Sequence, residues 1–75
     1  MGNKHFDEYM KLGLNVKHYR LLRGYTQEKL AERISISKDH VSNIERAAGK
    51  ASLDLLFEIA EELDVPVHKL FEFRD

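Results

Sequence analysis

Five polar residues in one short stretch carry side chains that could hydrogen-bond to another molecule. They are Lys38, Asp39, Ser42, Asn43 and Arg46. At about 100° per residue, a helix places all five on one face, opposite Val41 and Ile44. Lysine, serine, asparagine and aspartate can pair with the edges of nucleic-acid bases, and arginine suits a phosphate. An ordinary solvated helix surface has the same composition, and Asp39 is favourable at a helix N-terminus without any ligand.

Two helix-start signals position this face. Thr26 and Ser37 lie eleven residues apart, and each can cap a helix by accepting a backbone N–H from its first turn. An apolar residue precedes each cap and can pack onto the following turn as a hydrophobic staple. Only Ser35 and Ile36 remain to connect the two helices. The stretch 26–46 is therefore predicted to be a helix-turn-helix.

Length and composition predict one small domain over residues 1–75, with residues 1–5 frayed. The chain has 75 residues, is 43% hydrophobic and contains no cysteine, so helix packing alone must stabilise it. No apolar run approaches the roughly 18 residues of a membrane span, and the amino terminus is too polar for a signal peptide. A cytoplasmic protein is expected.

Charge is distributed unevenly along the chain. The net charge is −1, but residues 1–46 contain nine Lys and Arg against six Asp and Glu, whereas residues 47–75 contain three against seven. The first part is thus positive and the last part negative. This asymmetry is compatible with phosphate on one side and with solvent or a partner on the other.

The remaining pattern predicts three further helices. The first runs from 6 to 23 and ends at Gly24, and the fourth is capped by Ser52. Pro66 suits the first turn of a short fifth helix over 67–71. The predicted core stripe of the fourth helix is Leu53, Leu56, Phe57, Ile59, Ala60 and Leu63.

Three stretches in this order resemble the Cro/C1 (phage repressor-like, Xre) family of helix-turn-helix DNA-binding proteins. They read YRLLRGYTQEKLAE over 19–32, ISKDHVSNIER over 36–46 and SLDLLFEIA over 52–60. The resemblance covers nearly everything from Leu12 to Phe71. It implies an all-α fold, a compact five-helix bundle of the lambda repressor-like type, in which the helix-turn-helix is formed by the second and third helices.

The resemblance also implies a function. The chain is expected to be a sequence-specific regulator of transcription, a repressor that binds a palindromic operator in double-stranded DNA as a homodimer. The third helix would enter the major groove, with Lys38 on guanine and Asn43 on adenine. The expected DNA-binding residues are Gln27, Ser37, Lys38, Asp39, Ser42, Asn43, Arg46 and Lys50.

Two structural expectations follow from the same family. Arg20, four residues before Gly24, is expected to form an ion pair with Glu45 and so tie the first helix to the third. Ser35 replaces the glycine that the family usually has in its turn. If this position is left-handed, serine costs roughly 1 to 2 kcal/mol relative to an unstrained conformation.

Loose apolar residues near the carboxyl end predict a self-association surface. They are Leu55, Leu70, Phe71 and Phe73, and a homodimer would cover them. The alternative class is a protein-interaction module or an antitoxin-type protein that binds a partner through its acidic last third. No metal-ligand spacing, glycine-rich phosphate loop or catalytic triad is present, so we expect no metal, no cofactor and no enzymatic activity.

Overall fold

Four α-helices and one 3₁₀ helix make up the computed structural model, which describes residues 4–73. The elements are α1 (Phe6–Leu22), α2 (Gln27–Arg33), α3 (Lys38–Glu45), α4 (Leu53–Glu62) and a 3₁₀ segment (Val67–Phe71). The predicted all-α fold is confirmed, but the fifth α-helix is not found. Five residues after a proline are too few to repay the nucleation of an α-helix. Of the end predicted to be frayed, residues 1–3 lie outside the described part.

Hydroxyl caps start three of the α-helices. Thr26, Ser37 and Ser52 each accept a hydrogen bond from the backbone N–H three positions later, at 3.0 to 3.1 Å. All three were predicted from residue type and position. Helix α1 starts at Phe6, and the side chain of its N-cap residue, His5, makes no cap hydrogen bond.

All four α-helices end in the same way. Gly24, Ser35, Ala47 and Asp64 have φ angles of 81°, 61°, 59° and 61°, so each is left-handed. After each, the next N–H bonds to the carbonyl five positions back, at 2.8 to 3.0 Å. This is the Schellman motif, which satisfies the last carbonyls of a helix. Only one of the four positions is a glycine. Ser35 has the left-handed conformation for which the strain was predicted.

The buried core draws on every helix. Helix α3 packs on α1 and α2, while the 3₁₀ segment packs on α1 and α4. The core residues are Leu12, Val16, Leu30, Ala31, Ile34, Val41, Ile44, Leu56, Ile59, Ala60, Leu63 and Leu70. Placing Leu53 and Phe57 in this core was wrong, because their side chains are 64% and 51% exposed. They lie to one side of the stripe that the other apolar residues of α4 bury.

A buried asparagine anchors the carboxyl end to α1. The Asn15 side-chain amide donates to the carbonyl of Leu70 at 2.8 Å and to that of Glu72 at 3.2 Å. The first of these bonds satisfies a carbonyl of the buried Leu70 that would otherwise lack a partner. The position of the 3₁₀ segment therefore depends on a polar residue to which the sequence pattern assigned no role.

An ion pair at the surface joins α2 to α4. Arg33 Nε lies 2.6 Å from Glu62 Oε2, and the Tyr25 hydroxyl donates to the same oxygen at 3.1 Å. The hydrogen bond from Arg33 holds the pKa of the Glu62 carboxyl below its ordinary value. Glu62 therefore stays ionised at neutral pH, and this link weakens only in acid, as the carboxylate takes up its proton.

Within residues 4–73, no helix has the length and apolar character that a membrane crossing requires.

Replacing Ser35 by glycine should stabilise the protein. A left-handed non-glycine residue costs roughly 1 to 2 kcal/mol, and the greater freedom of unfolded glycine returns part of that gain. We expect the free energy of unfolding to rise by about 0.5 to 1 kcal/mol in denaturant titrations. Ser35→Ala is the matched control, because it keeps the Cβ and should bring no comparable gain. A loss of stability in Ser35→Gly would show that the turn carries no such strain.

Candidate nucleic-acid interface

Helix α3 presents one polar face to solvent. Val41, Ile44 and Glu45 are buried beneath it. Lys38, Asp39 and Arg46 are exposed on the outer side, with Ser42 and Asn43 half-buried between them. The five residues singled out in the sequence thus share one outward surface, and the capping Ser37 lies exposed at its start. Their side chains supply hydrogen-bond donors and acceptors, and none of them is an aliphatic residue.

A buried ion pair fixes this helix to α1. Arg20 Nε lies 2.7 Å from Glu45 Oε2, and Arg20 Nη2 donates to Glu45 Oε1 at 3.1 Å. The two side chains are only 7% and 3% exposed. A third bond runs from Arg20 Nη1 to the carbonyl of Tyr25 at 2.8 Å. Two parallel bonds between a guanidinium and a carboxylate fix orientation as well as distance, so the rotation of α3 about its axis is constrained.

Gln27 completes the arrangement around Glu45. Its side-chain amide donates to Glu45 Oε1 at 3.0 Å, which links the first turn of α2 to the end of α3. We expected this side chain to contact a phosphate, yet in the structure it faces the ion pair. The carboxylate of Glu45 therefore accepts three hydrogen bonds, from residues on α1 and α2. We call Arg20, Glu45 and Gln27 the Glu45 network.

A glycine in α1 allows the close approach of α1 to α3. A Cβ at Gly13 would lie 2.5 Å from the carbonyl oxygen of Ile44 and 2.6 Å from that of Glu45. Both distances are far too short, and the obstacle is backbone. Only glycine therefore fits where α1 crosses the end of α3. Gly13 was not among the residues predicted to matter, although an isolated glycine inside a helical pattern was the available signal.

Asn43 and Arg46 interact with each other on the outer face. Arg46 Nη2 donates to Asn43 Oδ1 at 2.7 Å. Reading an adenine with both amide atoms needs that oxygen as an acceptor. In this arrangement Arg46 already uses one of the two lone pairs of the Asn43 oxygen. The predicted adenine contact would therefore share the Asn43 oxygen with Arg46 or displace Arg46 from it.

The loop after α3 lies against the same face. A Cβ at Gly49 would lie 3.4 Å from the Cβ of Asn43, so the loop backbone runs beside the middle of the outer face. Lys50 follows and is exposed. The structure thus gathers the eight residues predicted to bind DNA around α3, except that the Gln27 amide faces inward.

The residues predicted for self-association do not form one exposed patch. Leu70 is fully buried and belongs to the core, so its predicted place on a contact surface was wrong. Leu55 and Phe73 are half-buried and pack on the core, whereas Phe71 is 45% exposed.

Among residues 4–73, no three metal-ligating side chains lie together.

Removing one member of the buried pair should cost far more than removing both. Glu45→Ala or Arg20→Ala leaves an unpaired buried charge, and we expect a loss of about 3 to 5 kcal/mol in the free energy of unfolding. Replacing both residues by methionine should recover much of that loss. Chemical denaturation of the single and double variants measures this coupling. Equal and additive losses would mean that the two charges act independently.

Comparisons with known proteins agree with this geometry. The pattern of a family described as helix-turn-helix matches residues 16–70. The HTH-type transcriptional regulator SinR of Bacillus licheniformis is 35% identical over 65 residues, which cover 85% of this chain and 59% of that protein. The chain thus spans less than two thirds of this relative.

Two solved structures have the same fold. The restriction-modification controller protein C.AhdI from Aeromonas hydrophila has a TM-score of 0.86 and 28% identity, covering 92% of this chain and 100% of that one. The biofilm regulator SinR, solved in complex with DNA, has a TM-score of 0.76 and 35% identity, covering 81% and 98%. These relatives are regulators rather than enzymes. The chain belongs to the Cro/C1-type helix-turn-helix family.

Proposed function

We propose that this chain is a DNA-binding transcriptional regulator that reads the major groove with α3. The observation that carries the proposal is the polar outer face of α3, held on the Glu45 network and flanked by the loop at Gly49 and Lys50. A merely solvated helix surface would not need a buried three-residue network to set its orientation. The names of the relatives agree, since one is an HTH-type transcriptional regulator and another was solved with DNA.

Base recognition falls to the first two turns of α3. An α-helix fits the major groove, which is about 12 Å wide, and the recognition helix of this motif contacts bases with its N-terminal residues. Lys38 donates to guanine O6 or N7, and Ser42 can serve either donor or acceptor edges. Asp39 accepts from a cytosine amino group. Ser37 and the first N–H groups of α2, beside Gln27, contact the phosphates that set the register.

Arg46 and Asn43 exchange partners on binding. In the free protein Arg46 occupies the Asn43 oxygen. A nearby phosphate is a stronger partner for a guanidinium than a neutral amide is. We infer that Arg46 turns to the DNA backbone and that the freed amide of Asn43 then pairs with adenine through both of its polar atoms.

A homodimer on a palindromic operator gives the specificity that one module lacks. Two modules related by a twofold axis read half-sites about 34 Å apart. Leu53 and Phe57 lie one turn apart on α4, are 64% and 51% exposed, and form an apolar face without a partner in the described chain. We infer that this face joins the two copies and replaces the surface expected around Leu55, Phe71 and Phe73. Repression follows if the bound dimer covers DNA that another protein must reach.

Binding to DNA should fall steeply as salt rises. Neutralised phosphates release counterions, so the logarithm of the affinity should decline linearly with the logarithm of the salt concentration.

Asn43→Ala should cost about 1 to 3 kcal/mol on a site selected from random DNA and relax the preference at one base position. Lys50→Ala should weaken all duplexes alike. Fluorescence anisotropy measures the DNA affinity of the parent at each salt concentration and of the Asn43→Ala and Lys50→Ala variants.

An affinity that stayed flat across salt, or no affinity at all, would remove the DNA proposal. A protein-interaction module or an antitoxin-type protein would then be the better account.

The dimer is tested by placing a charge on the apolar face of α4. Phe57→Glu should abolish self-association in sedimentation equilibrium without loss of helix content, because a carboxylate would have to be buried between the copies. Leu22→Glu is the matched control, since Leu22 is 71% exposed on α1 and outside this face. A parent chain that stays monomeric at high concentration, or a dimeric Phe57→Glu, would show that the interface is misplaced.

A further inference from the structure

A depression lies beside the carboxyl end of α3, and neither the core nor the outer face of α3 accounts for it. It is open to solvent, has a volume of about 210 Å³ and is lined by Tyr9, Ala47, Ala48, Gly49 and Lys50. This volume is several times the roughly 30 Å³ that a water molecule occupies in the liquid. A tetrahedral anion therefore fits within it.

The walls of this depression offer donors and a positive charge. The N–H groups of Ala47 and Ala48 are used in closing α3, at 3.2 and 2.8 Å from their acceptors. The next two, of Gly49 and Lys50, donate to no acceptor within residues 4–73. Lys50 is exposed, and no carboxylate is among the five lining residues. Free amides beside an ammonium, with no carboxylate among the lining residues, suit an anion.

Tyr9 is the lining residue that helix α1 contributes. Helix α1 begins at Phe6, well before its first core leucine, Leu12, and Tyr9 lies in this first part of the helix. It lies one turn before Gly13 and on the same face. Because Gly13 contacts the end of α3, the turn before it overlies the loop that follows α3. The Tyr9 ring packs on the core, and its hydroxyl bonds to no group in the described chain.

We propose that this depression takes a phosphate of the DNA backbone and that the Tyr9 hydroxyl donates a hydrogen bond to it, together with Lys50 and the two loop amides. The inference rests on the proposed function, because Gly49 runs beside Asn43 and approaches the DNA when α3 enters the groove. Such a contact is independent of sequence and sets the register of α3 on the duplex. Tyr9 thus acts as a positioning residue outside the helix-turn-helix itself.

Tyr9→Phe removes only the hydroxyl, and Tyr19→Phe is its matched control on the same helix. We would measure binding to two probes, a duplex selected from random DNA and a duplex of unrelated sequence. Tyr9→Phe should weaken both by about tenfold, the usual cost of one hydrogen bond to a charged group. The salt dependence should not change, because a neutral hydroxyl releases no counterion. Lys50→Gln should instead reduce both the affinity and the salt slope, by about one ion, and Tyr19→Phe should bind like the parent.

Phosphate ethylation separates a direct contact from a structural effect. In each half-site, ethylating one phosphate should weaken the parent by more than it weakens Tyr9→Phe, because that variant contacts this phosphate only through Lys50 and the two loop amides. If Tyr9→Phe binds like the parent, or if ethylation of every phosphate weakens the two proteins equally, the inference is overturned while the proposed function stands. If the parent binds neither duplex, the proposed function itself fails.

Discussion

The buried carboxylate of Glu45 is the constraint on which the rest of the structure depends. A charge that is 3% exposed is tolerated only when its lone pairs are satisfied, and here three donors from two other helices do so. Those donors fix the end of α3 relative to α1 and α2. The outer face of α3 can consist of polar residues because these buried hydrogen bonds, and not packing of the outer face, fix the position of the helix. The network thus connects folding to the surface proposed to bind DNA.

Backbone geometry sets how closely the helices approach this network. Gly13 lets α1 reach the carbonyls of Ile44 and Glu45, which shortens the distance that the Arg20 side chain must span. The Schellman ending at Ala47 then turns the chain sharply out of α3. That turn places the loop of Gly49 and Lys50 beside the outer face. A strained residue at the end of α3 is therefore acceptable, because it directs the loop that frames the candidate interface.

Local interactions explain which parts of the fold were predictable. The caps at Thr26, Ser37 and Ser52 each depend on a residue and its neighbours three positions away, so they can be found in the sequence. The helix-turn-helix followed from these caps and from the short connection between them. The pairing of Arg20 with Glu45 and the strain at Ser35 came from family resemblance, because neither the 25 residues that separate the pair nor the turn angle leaves a local pattern.

Tertiary contacts explain the rest. Gly13 and Asn15 act on groups more than 30 and 50 residues away, and nothing near them in sequence identifies those partners. The core stripe of α4 was drawn too wide, because that helix has apolar residues around more of its circumference than packing can bury. The inward turn of Gln27 and the bond between Arg46 and Asn43 depend on where α2 and α3 meet. Side-chain orientation at such a junction is fixed only once the helices are packed.

The central claim is that the Glu45 network holds the outer face of α3 as the DNA-reading surface. Amide chemical-shift mapping of the labelled protein with a duplex selected from random DNA tests it most directly, at a protein concentration where the oligomeric state no longer changes. The account predicts the largest changes in the first turn of α2, the outer positions of α3 and the loop 47–50, while the Arg20 guanidinium signals stay in place. Changes concentrated on α4 and the 3₁₀ segment, with α3 unaffected, would contradict it.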